Sequence, residues 1–390
     1  MIAVNKAFEI LKENKILGPV VQIEVDEALG FVLAEEVFSP IDMPPFDQSA
    51  MDGYALGDAV SDSYTVIGEV TAGESAEDCV LKSGEAMRIF TGAMVPASAA
   101  SVIKQESISR IENTITITDK NNEGENIRRR GEQIKENQVA LEKGIQINAG
   151  TIGFLIGLGV TSIAVYSKPK IQVIVTGNEL VAKGEQLTMG KIFESNSYTL
   201  IAALKEVGIA VEVQTVKDDY ESTVRCIENA LAQNDLVLMT GGISVGDYDF
   251  VGKAFNALEV EQLFYKIKQK PGKPIYFGRK NEKFVFGLPG NPAATLSCFY
   301  LYVLPWINQF QGKANSSLVK RNFRLLSSYT KTPKMTHFLK AHYDGEEVTI
   351  LGQQSSAMLS AFSSANCLLF MEEGKSEFSA GDSVEGYILP

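Results

Sequence analysis

The chain has 390 residues, 45% hydrophobic and 22% charged, enough for two to three domains at roughly 150 residues each and too evenly mixed for a disordered or fibrous protein. Its 36 basic and 48 acidic side chains give a net charge of -12, which repels nucleic acid and anionic membranes unless basic residues gather locally. Four widely spaced cysteines read as reduced core thiols rather than zinc or disulfide frameworks, and with only His337 and His342 present the chemistry must rest on carboxylates, lysines, arginines and backbone.

The first segment, MIAVNKAFEILKENK, spaces Val4, Ala7, Phe8 and Leu11 along one helical face and carries charges where a signal peptide needs an apolar run, so export is not expected. PPFDQSAMDGYAL (44–56) packs Asp47, Ser49 and Asp52 into a loop entered by two prolines; its Asp-Gly pair fits a tight turn as well as a site. TVIGEV, AMRIF and TITIT predict short strands, and Arg128, Arg129 and Arg130 form either a phosphate-binding fork cluster or a solvated run. Residues 145–166 are uncharged and contain the Gly153/Gly157 GxxxG, yet Gly150, Gly157 and Gly159 punctuate them; they predict a buried helix to Leu158, a glycine stop and a strand through Ala164 instead of a membrane span.

From about Lys170 to Leu304 the periodicity alternates. IQVIV (171–175), VEVQTV (211–216), LVLMT (236–240) and FVFGL (284–288) read as buried strands. Helices are predicted over 195–207, 220–232, 250–258 and 293–304, capped by Ser195 or Asn196 and preceded by Pro292. Such alternation predicts a parallel, doubly wound sheet. Residues 312–317 (GKANSS) read as a linker, and 317–390 as a small β-domain.

Ligands in open parallel sheets bind beyond the carboxyl ends of the strands. Here those ends run into TGNEL (176–180), KDD (217–219), TGGISVGDYD (240–249, including Ser244) and LPGNP (288–292), all rich in glycine, proline or acid. Glycines let backbone N–H groups approach a phosphate or flat heterocycle, and Glu179, Asp218, Asp219, Asp247 and Asp249 would suit a hard cation such as Mg²⁺. Asp218 could equally be a turn or cap residue. GEQLTMGKI (184–192) is not a Walker A motif, because Ile stands where Ser or Thr is needed. In FYKIKQKPGKP, strand alternation would place Lys266, Lys268 and Lys270 on one face with Lys273 following, a cluster suited to an oxyanion or, on an edge strand, to blocking aggregation.

Taken in order, PPFDQSAMDGYA, RIFTGAMVP, NIRRRGE, TGNEL, TGGISVGDYDF, KPGKP and GLPGNP resemble the molybdopterin molybdenumtransferase family, bacterial relatives of the gephyrin E domain, over essentially the whole chain. The resemblance implies a multidomain α/β homodimer: an elongated α+β N-terminal domain (1–38 and 138–166), an inserted β-rich domain (39–137), a doubly wound molybdopterin-binding domain (167–316) and a C-terminal β-barrel (317–390). It implies molybdate insertion into adenylated molybdopterin with Mg²⁺-dependent AMP release, in the cytoplasm, alongside other cofactor-biosynthesis proteins. By motif match, Glu179, Asp219 and Asp249 would serve the metal, with Thr240, Gly241, Gly242, Ser244, Pro289 and Pro292 shaping the pocket. Lys270, Lys273 and Ser356 would meet molybdate, with Lys266 and Lys340 also among the substrate-binding residues; Asp52, Thr91 and Arg129 would reach the partner subunit's cleft.

Three positions depart from the family pattern: Asn178 and Gln133 where Asp is common, and Lys340 where Arg is usual. Each removes a charge or a bidentate fork. The alternatives are a molybdopterin adenylyltransferase-like enzyme, a weaker or tungstate-preferring paralogue, and a scaffold.

Overall fold

The structure is a computed structural model that describes residues 1–217, 219–243 and 250–390. Two compact units share the chain: residues 1–21, 30–34 and 165–390 form one, residues 22–29 and 35–164 the other.

The larger unit is built on a six-stranded sheet. In spatial order its strands are Glu212–Val216, Ile171–Thr176, Leu236–Thr240, Lys283–Leu288, Tyr276–Lys280 and Glu261–Tyr265. The first four are parallel and match the four predicted strands in position; Glu212–Val216, expected to be buried, lies at the sheet edge and is exposed at all but Val216. Tyr276–Lys280 runs antiparallel to both of its neighbours, Lys283–Leu288 and Glu261–Tyr265, so the sheet is mixed. The difference is topological: no helix separates 261–265, 276–280 and 283–288, and a strand without a crossover returns antiparallel.

Successive side chains of each strand face opposite layers. Val173, Val175, Leu238 and Phe286 pack under the helices Asn196–Glu206 and Pro292–Cys298, while Ile174, Val237, Met239 and Val285 pack under Tyr220–Gln233 and Phe250–Ala257. Burial on both faces explains why these strands read as unbroken apolar runs. The predicted helix behind Pro292 runs further than expected, through a π-helical turn at Phe299–Val303 into Leu304–Phe310. Val4, Ala7 and Leu11 of the N-terminal helix Val4–Glu13 join the first of these cores.

Beyond residues 312–317, the chain forms a closed five-stranded barrel: Thr336–Asp344, Glu347–Ile350, Lys320–Leu325, Ser383–Ile388 and Cys367–Met371, with the last strand pairing back to the first. The short strand Gln269–Lys270 pairs in parallel with Thr336–Asp344, extending the barrel sheet towards the doubly wound domain.

The smaller unit carries its own six-stranded sheet, in the order Ser101–Lys104, Gly53–Leu56, Glu85–Ile89, Ser63–Val70, Thr114–Ile117 and Ile108–Ile111. The Asp52-Gly53 pair is not a hairpin turn. Gly53 opens the central strand, where a Cβ would lie 1.8 Å from the Ile103 carbonyl oxygen. The helix Ala149–Gly157 forms as predicted, with Asn148 as N-cap and Gly159 at φ +79° beyond its end, but it is not buried. Within it only Leu155 is buried, and Ile156 is 52% exposed. Lack of charge in this run reflects its glycines and hydroxyl residues more than enclosure. Among the described residues, no helix is long and apolar enough to cross a membrane.

Candidate functional site

In the larger unit the chain leaves Ile171–Thr176 for a strand on one side, Glu212–Val216, and then for one on the other, Leu236–Thr240. That reversal opens a crevice at the carboxyl ends of Ile171–Thr176 and Leu236–Thr240, the position where doubly wound sheets bind ligands. A cavity of about 820 Å³ lies there. Its walls bring together Glu179, Gly241, Gly242, Lys270, Lys273, Pro289, Pro292 and Ser356.

The floor is backbone. Gly241 and Gly242 have φ +91° and +64°, and a Cβ on them would come 2.3 Å from the Thr176 carbonyl oxygen and 2.8 Å from Val251 Cγ2. Only glycine fits both the conformation and the space. Thr240 is 1% exposed and lies beneath this floor; its hydroxyl accepts from Asn196 Nδ2 at 2.8 Å, and the same amide donates to the Gly290 carbonyl at 2.8 Å. Asn196 thus ties two strand-end loops together and lines the cavity. Two polar atoms here, Thr176 Oγ1 and Asn196 Oδ1, are buried without a hydrogen-bond partner among the described residues.

The lysine wall is a turn. Gly272 has φ +84°, and Gln269 beneath it is fully buried, its amide donating to the carbonyls of Pro271 and Gly272 at 3.1 and 3.4 Å and its oxygen accepting from the Tyr302 hydroxyl. The turn therefore presents Lys270 and Lys273 from a rigid base. Among the described residues neither lysine, nor Glu179, takes part in an ion pair. On the opposite wall Ser356 Oγ accepts from Asn291 Nδ2 at 3.0 Å, and the Ser356 carbonyl accepts from the Ala294 amide at 3.1 Å, capping the helix Pro292–Cys298.

Other expected residues lie elsewhere. The expected lysine face breaks at Lys266, whose φ of +63° ends the strand alternation and whose ammonium lies over the Tyr265 ring, 4.6 Å from its centroid. Lys268 pairs with Glu373 at 2.9 Å. Neither lines the cavity. Lys340 is 2% exposed and absent from the walls, its ammonium enclosed by backbone carbonyls. Asp219 caps the helix Tyr220–Gln233, accepting from the Ser222 amide at 2.8 Å, a contact that holds its carboxyl below the usual range. Asp218, Ser244, Asp247 and Asp249 fall outside the described residues. Among those described, no three His, Cys, Asp or Glu side chains compose a metal centre; Glu179 alone of the expected ligands stands on the cavity wall.

The smaller unit gathers a second group of expected residues. Asp52 accepts from the Thr91 amide and hydroxyl, both at 2.8 Å, and these bonds hold its carboxyl below the usual range. The Arg129 guanidinium is taken by Asp47 at 2.6 Å and that of Arg130 by Asp42 at 2.7 Å, so two of the three arginines in this run are salt-bridged within their own loop cluster. Sequence reasoning missed Asn196 and Gln269 as site residues, whereas Asn291 fell within the expected Pro289–Pro292 segment. Their only signal was adjacency to the strand-end motifs, because an amide's role depends on which carbonyls the fold brings within reach.

Comparison with known proteins agrees with this geometry. Residues 2–159 match the MoeA N-terminal region (domain I and II), 172–309 the probable molybdopterin binding domain, and 322–389 the MoeA C-terminal region (domain IV). The chain is 33% identical to a molybdopterin molybdenumtransferase of Staphylococcus epidermidis, over 98% of this chain and 94% of that protein, and 32% identical to one of Staphylococcus aureus over the same shares. A crystal structure of a molybdopterin biosynthesis MoeA protein from Pyrococcus horikoshii OT3 superimposes with a TM-score of 0.82 at 28% identity, covering all of both chains. With three family models matched in order along its length and a relative 33% identical over 98% of it, the chain belongs to the molybdopterin molybdenumtransferase (MoeA) family.

Proposed function

We propose that the protein inserts molybdate into adenylated molybdopterin and releases AMP, giving molybdenum cofactor. The observation that carries this reading is the pairing, in one cavity, of two ammonium groups lacking carboxylate partners with a glycine floor open to a flat ring. Lys270 and Lys273 hold the oxyanion by charge-assisted hydrogen bonds, Ser356 adds a hydroxyl donor from the facing wall, and Gly241 and Gly242 let the pterin approach the backbone. Release of AMP needs charge neutralised at the pyrophosphate, which Mg²⁺ supplies. Among the described residues Glu179 and Glu194 are the carboxylates on the cavity wall, Glu194 already accepting from Ser197, and they do not complete a ligand set. The reading takes the enzyme as a cytoplasmic homodimer, in which Asp52, Thr91 and Arg129 of one copy serve the cavity of the other.

The decisive experiment supplies purified protein with molybdopterin-AMP, molybdate and Mg²⁺ and follows AMP. Molybdate-dependent AMP release, abolished by EDTA, is expected. Release indifferent to molybdate overturns the reading, and ATP consumption with pyrophosphate release replaces it with an adenylyltransferase. Lys270→Ala should raise the molybdate concentration for half-maximal release roughly tenfold to hundredfold, the effect of losing one charged hydrogen bond.

A further inference from the structure

Lys340 lies in the barrel strand Thr336–Asp344 at 2% exposure, and its ammonium group is surrounded by one loop. Its Nζ donates to the carbonyls of Gln353 at 2.7 Å, Met358 at 2.9 Å and Ser355 at 3.2 Å. An ammonium has three N–H donors and no acceptor. All three are used on backbone oxygens, so none remains for an anion.

The loop so held is the one that carries Ser356. It is fastened at a second place by Gln354, whose Oε1 accepts from the Lys340 amide at 3.0 Å and whose Nε2 donates to the carbonyls of Lys340 and Leu351 at 2.7 and 2.8 Å. Backbone and side chain of Lys340 therefore both grip residues 353–358. On its far side the loop meets the cavity, where Ser356 Oγ accepts from Asn291 and the Ser356 carbonyl accepts from Ala294 at the start of Pro292–Cys298. Clustered carbonyl oxygens repel one another unless a cation lies among them. Without the ammonium, the carbonyls of Gln353, Ser355 and Met358 would turn apart to find water, and Ser356 would move with them.

We propose that Lys340 is a positioning residue: by clamping three carbonyls of the 353–358 loop it fixes where Ser356 meets the cavity, and it makes no contact with the oxyanion itself. This rests on the reading of the cavity as the molybdate site. The lysine that motif comparison would assign to the anion thus acts one step removed from it, through the loop.

The test uses the full-length protein in three variants, Lys340→Met, Gln354→Ala and Ser356→Ala, with the double variant K340M/S356A. Two quantities are read: amide hydrogen exchange across 353–358, which needs no substrate, and the molybdate dependence of AMP release. K340M is expected to speed exchange in that loop tenfold or more and to raise the half-saturating molybdate concentration by a similar factor, with a much smaller change in kcat. Q354A, which removes no charge, should give the same split in milder form. The double variant should be no weaker towards molybdate than S356A alone, because both changes act through one hydroxyl.

The proposal is overturned if K340M loses molybdate affinity while loop exchange stays at the parent rate, or if the K340M and S356A losses multiply, either of which marks a direct ligand. An unchanged Q354A overturns it too, and this variant decides the matter should K340M fail to fold. If the parent protein shows no molybdate-dependent release, the functional reading fails while the exchange data still judge the clamp.

Discussion

His337 stands beside the lysine turn, in register with Lys270 across the Gln269–Lys270 pairing, with Nδ1 2.9 Å from the Tyr329 hydroxyl. Burial pushes its imidazole down to about 4, and repulsion from Lys270 and Lys331 adds to this. In the unfolded chain the same ring titrates near its ordinary 6.5. Between those values the unfolded state binds more protons, so this residue's contribution to stability is complete above pH 6.5 and lost as pH falls towards about 4. The melting temperature should drop across that window, and His337→Gln should flatten the drop; a parent and variant with parallel pH profiles would refute it. Nothing in the sequence announced this environment. Lys270 was legible from KPGKP, but its neighbour across the strand is set by a pairing between segments more than sixty positions apart, which no local pattern encodes.

Among the elements, the turn over 270–273 is held most tightly by its glycine. A Cβ on Gly272 would sit 2.3 Å from Cys298 Sγ at a φ of +84°. Gly272→Ala should cost about 1–3 kcal/mol in urea unfolding from strained backbone alone, and it should weaken molybdate binding by displacing both lysines. Legibility at this scale followed burial. The strands Ile171–Thr176 and Leu236–Thr240 are buried along nearly their whole length and could be read as apolar runs. Tyr276–Lys280 contains Gly278, Arg279 and Lys280 and ends half-buried, so no apolar run marks it as a strand. Lys266 shows the same limit from the other side. Alternation along 266–270 implied one charged face, but a single left-handed residue redirected it.

Over the whole molecule, the chain forms two compact units with cores of their own. Ile89 is fully buried in the core of the smaller unit, with Ala55, Met87 and Val102. Ile89→Ala should destabilise that unit by about 2–5 kcal/mol, visible as faster amide exchange in Gly53–Leu56 and Glu85–Ile89, while exchange in Ile171–Thr176 and Leu236–Thr240 of the other unit stays at the parent rate. Equal acceleration in both sets of strands would refute separate cores. Their existence was visible as a change of texture along the sequence, from short punctuated strands to alternating strands and helices. The return of residues 1–21 and 30–34 to the larger unit was not, since the apolar face of a first helix does not name the core it joins.

The pairing of Gln269–Lys270 with the barrel strand Thr336–Asp344 has a further meaning for anyone who would dissect this protein. A fragment ending before the barrel would retain the crevice at the strand ends but leave the lysine turn with an open edge and the Ser356 wall missing altogether. Such a truncation would also strip Phe338, Leu368 and Tyr387 from the core they share with the sheet, so what remained would grip the anion by two loosened ammonium groups alone.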